Sequence, residues 1–248
     1  MPSFTLITGA SAGIGLASAE KFAKEGRNLV LLARRKERLE TLKKDLEKNY
    51  KVEVKTFAVD VTNKQELEML FAELKGMPLD VVINNAGLAL ARDSFDTQDF
   101  ADVEQMIDVN ILGFLKVAHL AIPFLKKTQG HLINMGSMAG IEAYGGGAVY
   151  CGTKHFVHSF THALRLDLLG TGVRVTTIAP GNTETEFSEV RFKGNKERAK
   201  IVYQGYQALK AEDIANAIWH VVSAPAHVNT ELMLILPTAQ AGGAIAKK

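Results

Sequence analysis

Short apolar runs alternate with amphipathic stretches along the whole chain. Phe4 to Ile7, with β-branched residues at Thr5, Ile7 and Thr8, predicts a strand. A helical pattern follows from Ile14 to Ala23. Asn28 to Ala33 is a continuous apolar run, as expected of a strand covered on both faces. Lys36 to Lys48 is a charged helix, and Val52, Val54, Phe57 and Val59 mark a third strand that ends at Asp60-Val61. Asn63 caps a helix over about Lys64 to Leu74. Leu79 to Ile83 is a fourth strand, ending in Asn84-Asn85-Ala86-Gly87. A long helix is expected over Phe100 to Lys127, with Pro123 as a kink or stop near its end. His131 to Met135 is a fifth strand, Val149 to Leu169 a helix, and Val173 to Ala179 a sixth strand closed by Pro180-Gly181. Glu212 to Val222 is a last helix and Glu231 to Leu236 a last strand.

This alternation predicts an α/β fold, one parallel sheet wrapped by helices on both faces through right-handed crossovers. No break in composition, repeat or linker divides the chain, so one domain is expected over residues 1–248. The longest irregular stretch, Gly181 to Ala211, follows a strand's carboxyl end, where doubly wound sheets bind ligands. It is expected to act as a substrate lid.

Composition narrows the classes. At 248 residues and 47% hydrophobic, the chain can bury a large core. Its 29 basic and 27 acidic residues leave a net charge of +2, so no nucleic-acid partner is expected; Lys247 and Lys248 form only a short basic end. The lone cysteine, Cys151, rules out an internal disulfide and fits a reducing compartment. No apolar run is read as reaching the ~20 residues that span a bilayer. The start runs straight into a strand rather than a leader, so no membrane and a cytoplasmic location are expected.

The chemistry begins at Thr8-Gly9-Ala10-Ser11-Ala12-Gly13-Ile14-Gly15, a glycine turn between strand and helix. Gly9 permits the turn, Gly13 lets a phosphate approach the backbone, and Gly15 lets helix pack on strand. The free N–H groups of the helix start then face a pyrophosphate. The spacing is Gly-x-x-x-Gly-x-Gly rather than the commoner Gly-x-Gly-x-x-Gly. An NAD-binding strand 2 ends in Asp or Glu for the ribose 2′-hydroxyl. Here Ala33 is followed by Arg34 and Arg35. A guanidinium grips a 2′-phosphate that a carboxylate would repel, so NADP(H) is expected, held mainly by Arg34.

Tyr150 and Lys154, four apart, share one helical face, and Ser137 sits at a strand's carboxyl end. A tyrosine with a pKa near 10 is a poor base. A nearby ammonium is expected to stabilise its phenolate, completing a proton-transfer unit for an alcohol or carbonyl. His155, His158 and His162 lie near one helical face, and His158 and His162 have metal-ligand spacing. With no acidic or cysteine ligand expected beside them, a packed or interface face is expected and no metal. Cys151 is read as a small core residue, and the stripe Ile111, Leu115, Ala118 and Ile122 as core or interface.

The glycine turn, Asn84-Asn-Ala-Gly87, Asn110, Ser137, Tyr150-x-x-x-Lys154 and Pro180-Gly181 follow one another along nearly the whole chain. In this order and spacing they resemble the short-chain dehydrogenase/reductase family. The resemblance implies a Rossmann-type, doubly wound parallel sheet of about seven strands, NADP(H), and hydride transfer at a carbonyl or alcohol carbon. It implies a catalytic tetrad of Asn110, Ser137, Tyr150 and Lys154. Asn110 would hold a proton-relaying water, Lys154 would also grip the nicotinamide ribose, and Tyr150 would be acid in reduction and base in oxidation. Cofactor contacts would fall on Gly9, Ser11, Ala12, Gly13, Ile14, Gly15, Arg34, Arg35, Asp60 and Val61. Asn85, Ala86, Gly87, Tyr150, Lys154, Pro180, Gly181, Thr183 and Thr185 would complete them.

Asn84 to Leu90, Met106 to Asn110, Thr185 to Ser188, Val190 to Gly194, Pro225 to Asn229 and Pro237 to Gln240 carry a closer likeness. They resemble the NADP-dependent 3-hydroxy acid dehydrogenases, also called serine or L-allo-threonine dehydrogenases. That subgroup oxidises the β-hydroxyl of small hydroxy acids or reduces malonic semialdehyde, and its members are usually tetramers. Thr183 departs from the Val or Ile of many relatives. Ser137, Tyr150 and Arg191 would hold the substrate, Arg191 through its carboxylate; the alternative for Arg191 is a rim or subunit contact. Two other readings remain open. One is a different carbonyl substrate (steroid, sugar or acyl thioester). The other is a non-catalytic NADP(H)-binding regulator, which would lack part of the tetrad.

Overall fold

In the computed structural model, which describes residues 3–242, the apolar runs become β1 (Phe4–Thr8), β2 (Asn28–Ala33), β3 (Val54–Ala58), β4 (Leu79–Asn84), β5 (His131–Met135) and β6 (Arg174–Pro180). Lys247 and Lys248 lie outside the described residues. Later come the two-residue β7 (Thr183–Glu184) and β8 (Leu209–Lys210), and then β9 (Leu232–Ile235). Between them run α1 (Gly13–Lys24), α2 (Lys36–Asn49), α3 (Lys64–Glu73), α4 (Phe100–Ile107), α5 (Phe114–Thr128), α6 (Ala148–Asp167), α7 (Phe187–Arg191), α8 (Lys196–Ile201) and α9 (Ala211–Val222).

Seven strands form one parallel sheet in the order β3-β2-β1-β4-β5-β6-β9, a Rossmann-type arrangement. The register sets Ile7 between Leu31 and Ile83. Alternation along β2 divides the core. Val30 and Leu32 join Val117, Ala121 and Leu125 of α5 on one face. Leu29 and Leu31 join Phe22 of α1, Leu39 of α2 and Ile218 of α9 on the other. Both faces are dry, which is why β2 reads as an unbroken apolar run.

The sequence reading needs four corrections. The expected helix from Phe100 to Lys127 is α4, a π-helical turn over Asp108–Gly113, and α5. Its apolar run is also long enough to match a bilayer, contrary to expectation. Phe114, Val117, Ala118, Ala121 and Leu125 of that run are buried within the fold. Pro123 does not stop α5, which continues to Thr128 and ends on Gln129 at φ 50. Pro123 and His119, whose carbonyl loses its partner to the proline, are both exposed, so the gap faces water. Finally, residues 181–211 are not irregular but hold β7, α7, α8 and β8; elements of two to six residues are too short to show a period.

Candidate active site

β1 and β4 lie side by side, and the chain leaves this pair in opposite directions, to β2 and β3 on one side and to β5, β6 and β9 on the other. A crevice opens above strand carboxyl ends at such a point. Here it is a cavity of about 790 Å³. Every expected site residue lines it except Gly15 and Asn110.

The glycine turn forms one wall. Gly9 and Gly13 have φ of +68 and +53, values that favour glycine. A Cβ on Gly15 would sit 2.3 Å from the Gly9 carbonyl oxygen, so only glycine lets α1 start this close to β1. A Cβ on Gly13 would come 3.3 Å from Thr185 Cβ, so residues 181–211 approach the turn closely. Ala12 begins α1 without a side-chain cap, and the first turn holds no acidic residue. The helix start thus keeps its N–H groups and positive end for an anion. These features fit a dinucleotide's pyrophosphate. The β4 loop is laced to β1: the Asn85 and Ala86 N–H groups both donate to Thr8 Oγ1 at 2.9 Å, and Asn85 Nδ2 donates to the Thr8 carbonyl at 2.9 Å.

Beyond β2, the two expected arginines differ. Arg34 is largely exposed, with Asp60 3.9 Å away as its ionic neighbour. Arg35 donates from Nε to Ser11 Oγ at 3.1 Å and from Nη1 to Glu186 Oε2 at 3.0 Å. Arg38, which the sequence reading missed, donates to both Glu186 oxygens at 2.7 and 3.0 Å. Arg35, not Arg34, is the guanidinium fixed against the glycine turn. Arg35 and Arg38 hold the Glu186 carboxyl below the usual range, against the opposing pull of partial burial.

At the other end, β5 and α6 bring the catalytic candidates together. Ser137 Oγ accepts from Ala139 N at 3.1 Å, which fixes it at the end of β5. Lys154 Nζ donates to the Met135 carbonyl at 2.8 Å and lies 5.9 Å from the Tyr150 ring centroid. Lys154 is buried and Tyr150 half-buried, and burial disfavours charge. It pulls the Lys154 ammonium down to about 8. It pushes the Tyr150 phenol up to about 12, helped by Tyr144 and opposed by Ser137 and Arg191. Burial, the largest of these influences, thus works against the expected lysine-stabilised phenolate. Asn110 sits in the π-helical turn. Its Nδ2 donates to the Leu88 carbonyl at 2.7 Å and to Thr153 Oγ1 at 3.2 Å, and its Oδ1 accepts from Leu88 N at 2.9 Å. Its amide braces the loop after β4, and both amide protons are already used.

Arg191 reaches this centre. Its guanidinium carbon lies 5.2 Å from the Tyr150 ring centroid and 5.7 Å from that of Tyr144, and it donates to the Tyr144 hydroxyl. Tyr144 and Arg92, 5.1 Å from the same ring, line the cavity unforeseen. Tyr144 stands alone beside three glycines and Arg92 in a polar loop, so neither carries a periodic signal. Pro180, Gly181 and Thr183 follow β6 into the crevice, where Asn182 N donates to Gln240 Oε1 at 2.8 Å. Of the three histidines, His162 meets Glu231, an acidic neighbour the sequence reading did not expect, and His155 and His158 face the backbone carbonyls of Cys151 and Gly140. Cys151 is buried, as read.

With this geometry in place, comparison with known proteins is informative. The family described as short chain dehydrogenase matches residues 3–196. A sulfoacetaldehyde reductase of Chromohalobacter salexigens is 42% identical, over 99% of this chain and 98% of its own. An NADP-dependent 3-hydroxy acid dehydrogenase of Salmonella typhi is 43% identical, over 95% of each. The solved closed form of a serine dehydrogenase complexed with NADP+ superposes with a TM-score of 0.92 at 39% identity, covering 98% of both chains.

Proposed function

The chain belongs to the short chain dehydrogenase family, and from that premise we propose that it is an NADP-dependent oxidoreductase acting on a small 3-hydroxy acid. Such a substrate includes serine, L-allo-threonine and the 3-hydroxypropionate/malonic semialdehyde pair. Hydride moves between its β-carbon and the nicotinamide, which supplies or accepts it when bound.

The chain's own residues do the rest. Ser137 holds the substrate oxygen against Tyr150. In reduction the neutral Tyr150 phenol gives its proton to that oxygen, a role suited to a phenol pushed up to about 12. In oxidation it must take a proton, and a positive charge nearby has to bring its pKa down. The Arg191 guanidinium supplies one and the Ser137 hydroxyl lowers the pKa further by hydrogen bonding, with the Lys154 ammonium 5.9 Å from the ring. Lys154 also grips the nicotinamide ribose, and Asn110 braces the wall behind. All four tetrad positions are filled, which argues against a non-catalytic regulator.

The observation that carries the substrate class is Arg191 over Tyr150. A three-carbon substrate has little apolar surface, so a fixed cation must supply affinity and orientation. Residues 181–211 serve as the lid that presents it. Arg191→Met should raise KM for serine or 3-hydroxypropionate ~10-fold or more, the cost of a charge-assisted pair. It should leave a neutral secondary alcohol nearly unchanged; equal losses on both would mark Arg191 as structural. A second reading, a sulfonate aldehyde, is favoured by Arg92 and Arg191 flanking Tyr144, since a three-oxygen head can engage more than one guanidinium. Turnover of sulfoacetaldehyde well above malonic semialdehyde would select it. The near-even charge and the single buried cysteine support a cytoplasmic setting, and the family likeness supports a homotetramer.

A further inference from the structure

Glu186 is the one acidic side chain that touches the arginines beyond β2 at hydrogen-bond distance among the described residues. It comes from residues 181–211, while Arg35 and Arg38 stand at the start of α2, 151 and 148 positions away in sequence. Arg35 is anchored from its other side, through Nε to Ser11 Oγ and Nη2 to the Ser11 carbonyl. The carboxylate is thus bound to a guanidinium that itself rests on the glycine turn.

We propose that Glu186 is a built-in competitor for the cofactor's 2′-phosphate, an inference that rests on the NADP reading above. With no phosphate present, Glu186 neutralises Arg35 and Arg38 and holds its segment down at the adenosine end. An arriving 2′-phosphate is a second anion at the same guanidiniums, and two anions so close repel. The phosphate takes Arg35 and Arg38, and Glu186 is displaced. Arg34 is the more exposed cation that draws the phosphate in: its side chain is 65% exposed and its ion pair with Asp60 is long, at 3.9 Å. Glu186 therefore lowers the affinity for NADP(H) below what the arginines alone would give and leaves NAD(H) untouched.

The flanking residues give this exchange a consequence. Thr185 lies against Gly13, and the Phe187 ring is 5.8 Å from that of Tyr150. Displacing Glu186 moves a segment that touches both the turn and the catalytic tyrosine. Arrival of the 2′-phosphate is thereby coupled to the freedom of residues 181–211 at the moment the substrate must enter.

The test uses two fragments, 2′,5′-ADP and 5′-ADP, titrated by calorimetry into the full chain at fixed low ionic strength. Glu186→Gln keeps the shape and removes the charge. It should bind 2′,5′-ADP about 5-fold more tightly, the scale of freeing exposed ion pairs, and leave 5′-ADP within about two-fold. Glu186→Ala should shift in the same direction. Lys193→Met is the control: Lys193 donates to Asp102 at 2.8 Å and tethers the same segment to α4 instead of to the arginines, so it should move both fragments alike. Weaker 2′,5′-ADP binding in Glu186→Gln would mean that Glu186 organises the arginines instead of competing for them, and would overturn the proposal. So would no change, or an equal change in both fragments. A wild type indifferent to the 2′-phosphate whose Glu186→Gln variant becomes selective would sink the NADP reading while keeping the competitor. A selective wild type with an unaltered variant would do the reverse.

Discussion

Tyr150 shows what a residue's identity conveys and what it withholds. Its spacing from Lys154 only places both on one helical face; the order of motifs around them is what singles them out, and the structure brings both into one crevice with Ser137. Tyr150→Phe keeps the ring and removes the acid, so the fold should survive and turnover should fall ~10² or more. Wild-type turnover from that variant would end the assignment. The charge state was not legible, because burial is a property of the fold: the sequence suggests a lysine lowering a tyrosine, and the structure gives two groups that each resist charge. This has a measurable sign. Between pH 8 and 10.5 an unfolded Lys154 holds a proton that the buried one has released, so stability should rise with pH there. Between pH 10 and 12 the folded, half-buried Tyr150 keeps a proton that the unfolded chain gives up, so stability should fall. In thermal melts of the cofactor-free protein, Lys154→Met should remove the rise and Tyr150→Phe the fall. Parallel curves for wild type and Lys154→Met would show that the ammonium is solvated. Arg38, Tyr144 and Glu186 went unread for a different reason: each matters only through a partner distant in the chain.

At the scale of elements, long apolar runs were legible to within a residue or two, and His131–Met135 coincides with its expected bounds. They were legible because both sheet faces are covered, so hydrophobicity alone delimits them. The glycine turn was legible too, though Gly13 has a neighbour the sequence did not show, Thr185. The π-helical turn was not, since it leaves the apolar pattern intact; it ends at Gly113, where an added Cβ would lie 2.9 Å from Val61. The turn gives a prediction about packing. Gly15→Ala must push α1 away from the Gly9 carbonyl, which is backbone and cannot swing aside. Overpacking of this kind costs ~1–3 kcal/mol, so the melting temperature should drop by several degrees. NADPH binding should weaken with it, because the same shift moves the helix start. Gly26→Ala, at a φ of +79 with open space around it, should lose stability through backbone strain alone and keep NADPH affinity. Equal affinity losses in both variants would break the link between the turn and the cofactor.

At the scale of the molecule, the described residues leave apolar surface exposed. Phe100 is 64% exposed and Leu112 45%, and both lie on the run from α4 through the π-helical turn into α5. Ile107 of the same run is exposed too, and Ile111 and Leu115 are half-buried. The opposite side of α5 supplies Val117, Ala121 and Leu125 to the core, so this helix is apolar on more than the face its own fold needs. That surplus bears on the stripe read from the sequence as core or interface: Ala118 belongs to the core, and its outer neighbours are exposed or half-buried. A subunit contact through this run accounts for it, and fits the expected tetramer. Sedimentation velocity should find a tetramer, and Leu112→Asp should shift it to smaller species. The far-UV circular dichroism should not change, because a half-exposed side chain holds little of the core. The smaller species should still bind NADPH, because the glycine turn, Arg34 and Arg35 lie outside this apolar run. A tetramer that withstands Leu112→Asp would place the interface on another surface. Loss of NADPH binding on dissociation would show that a neighbouring subunit helps to shape the crevice.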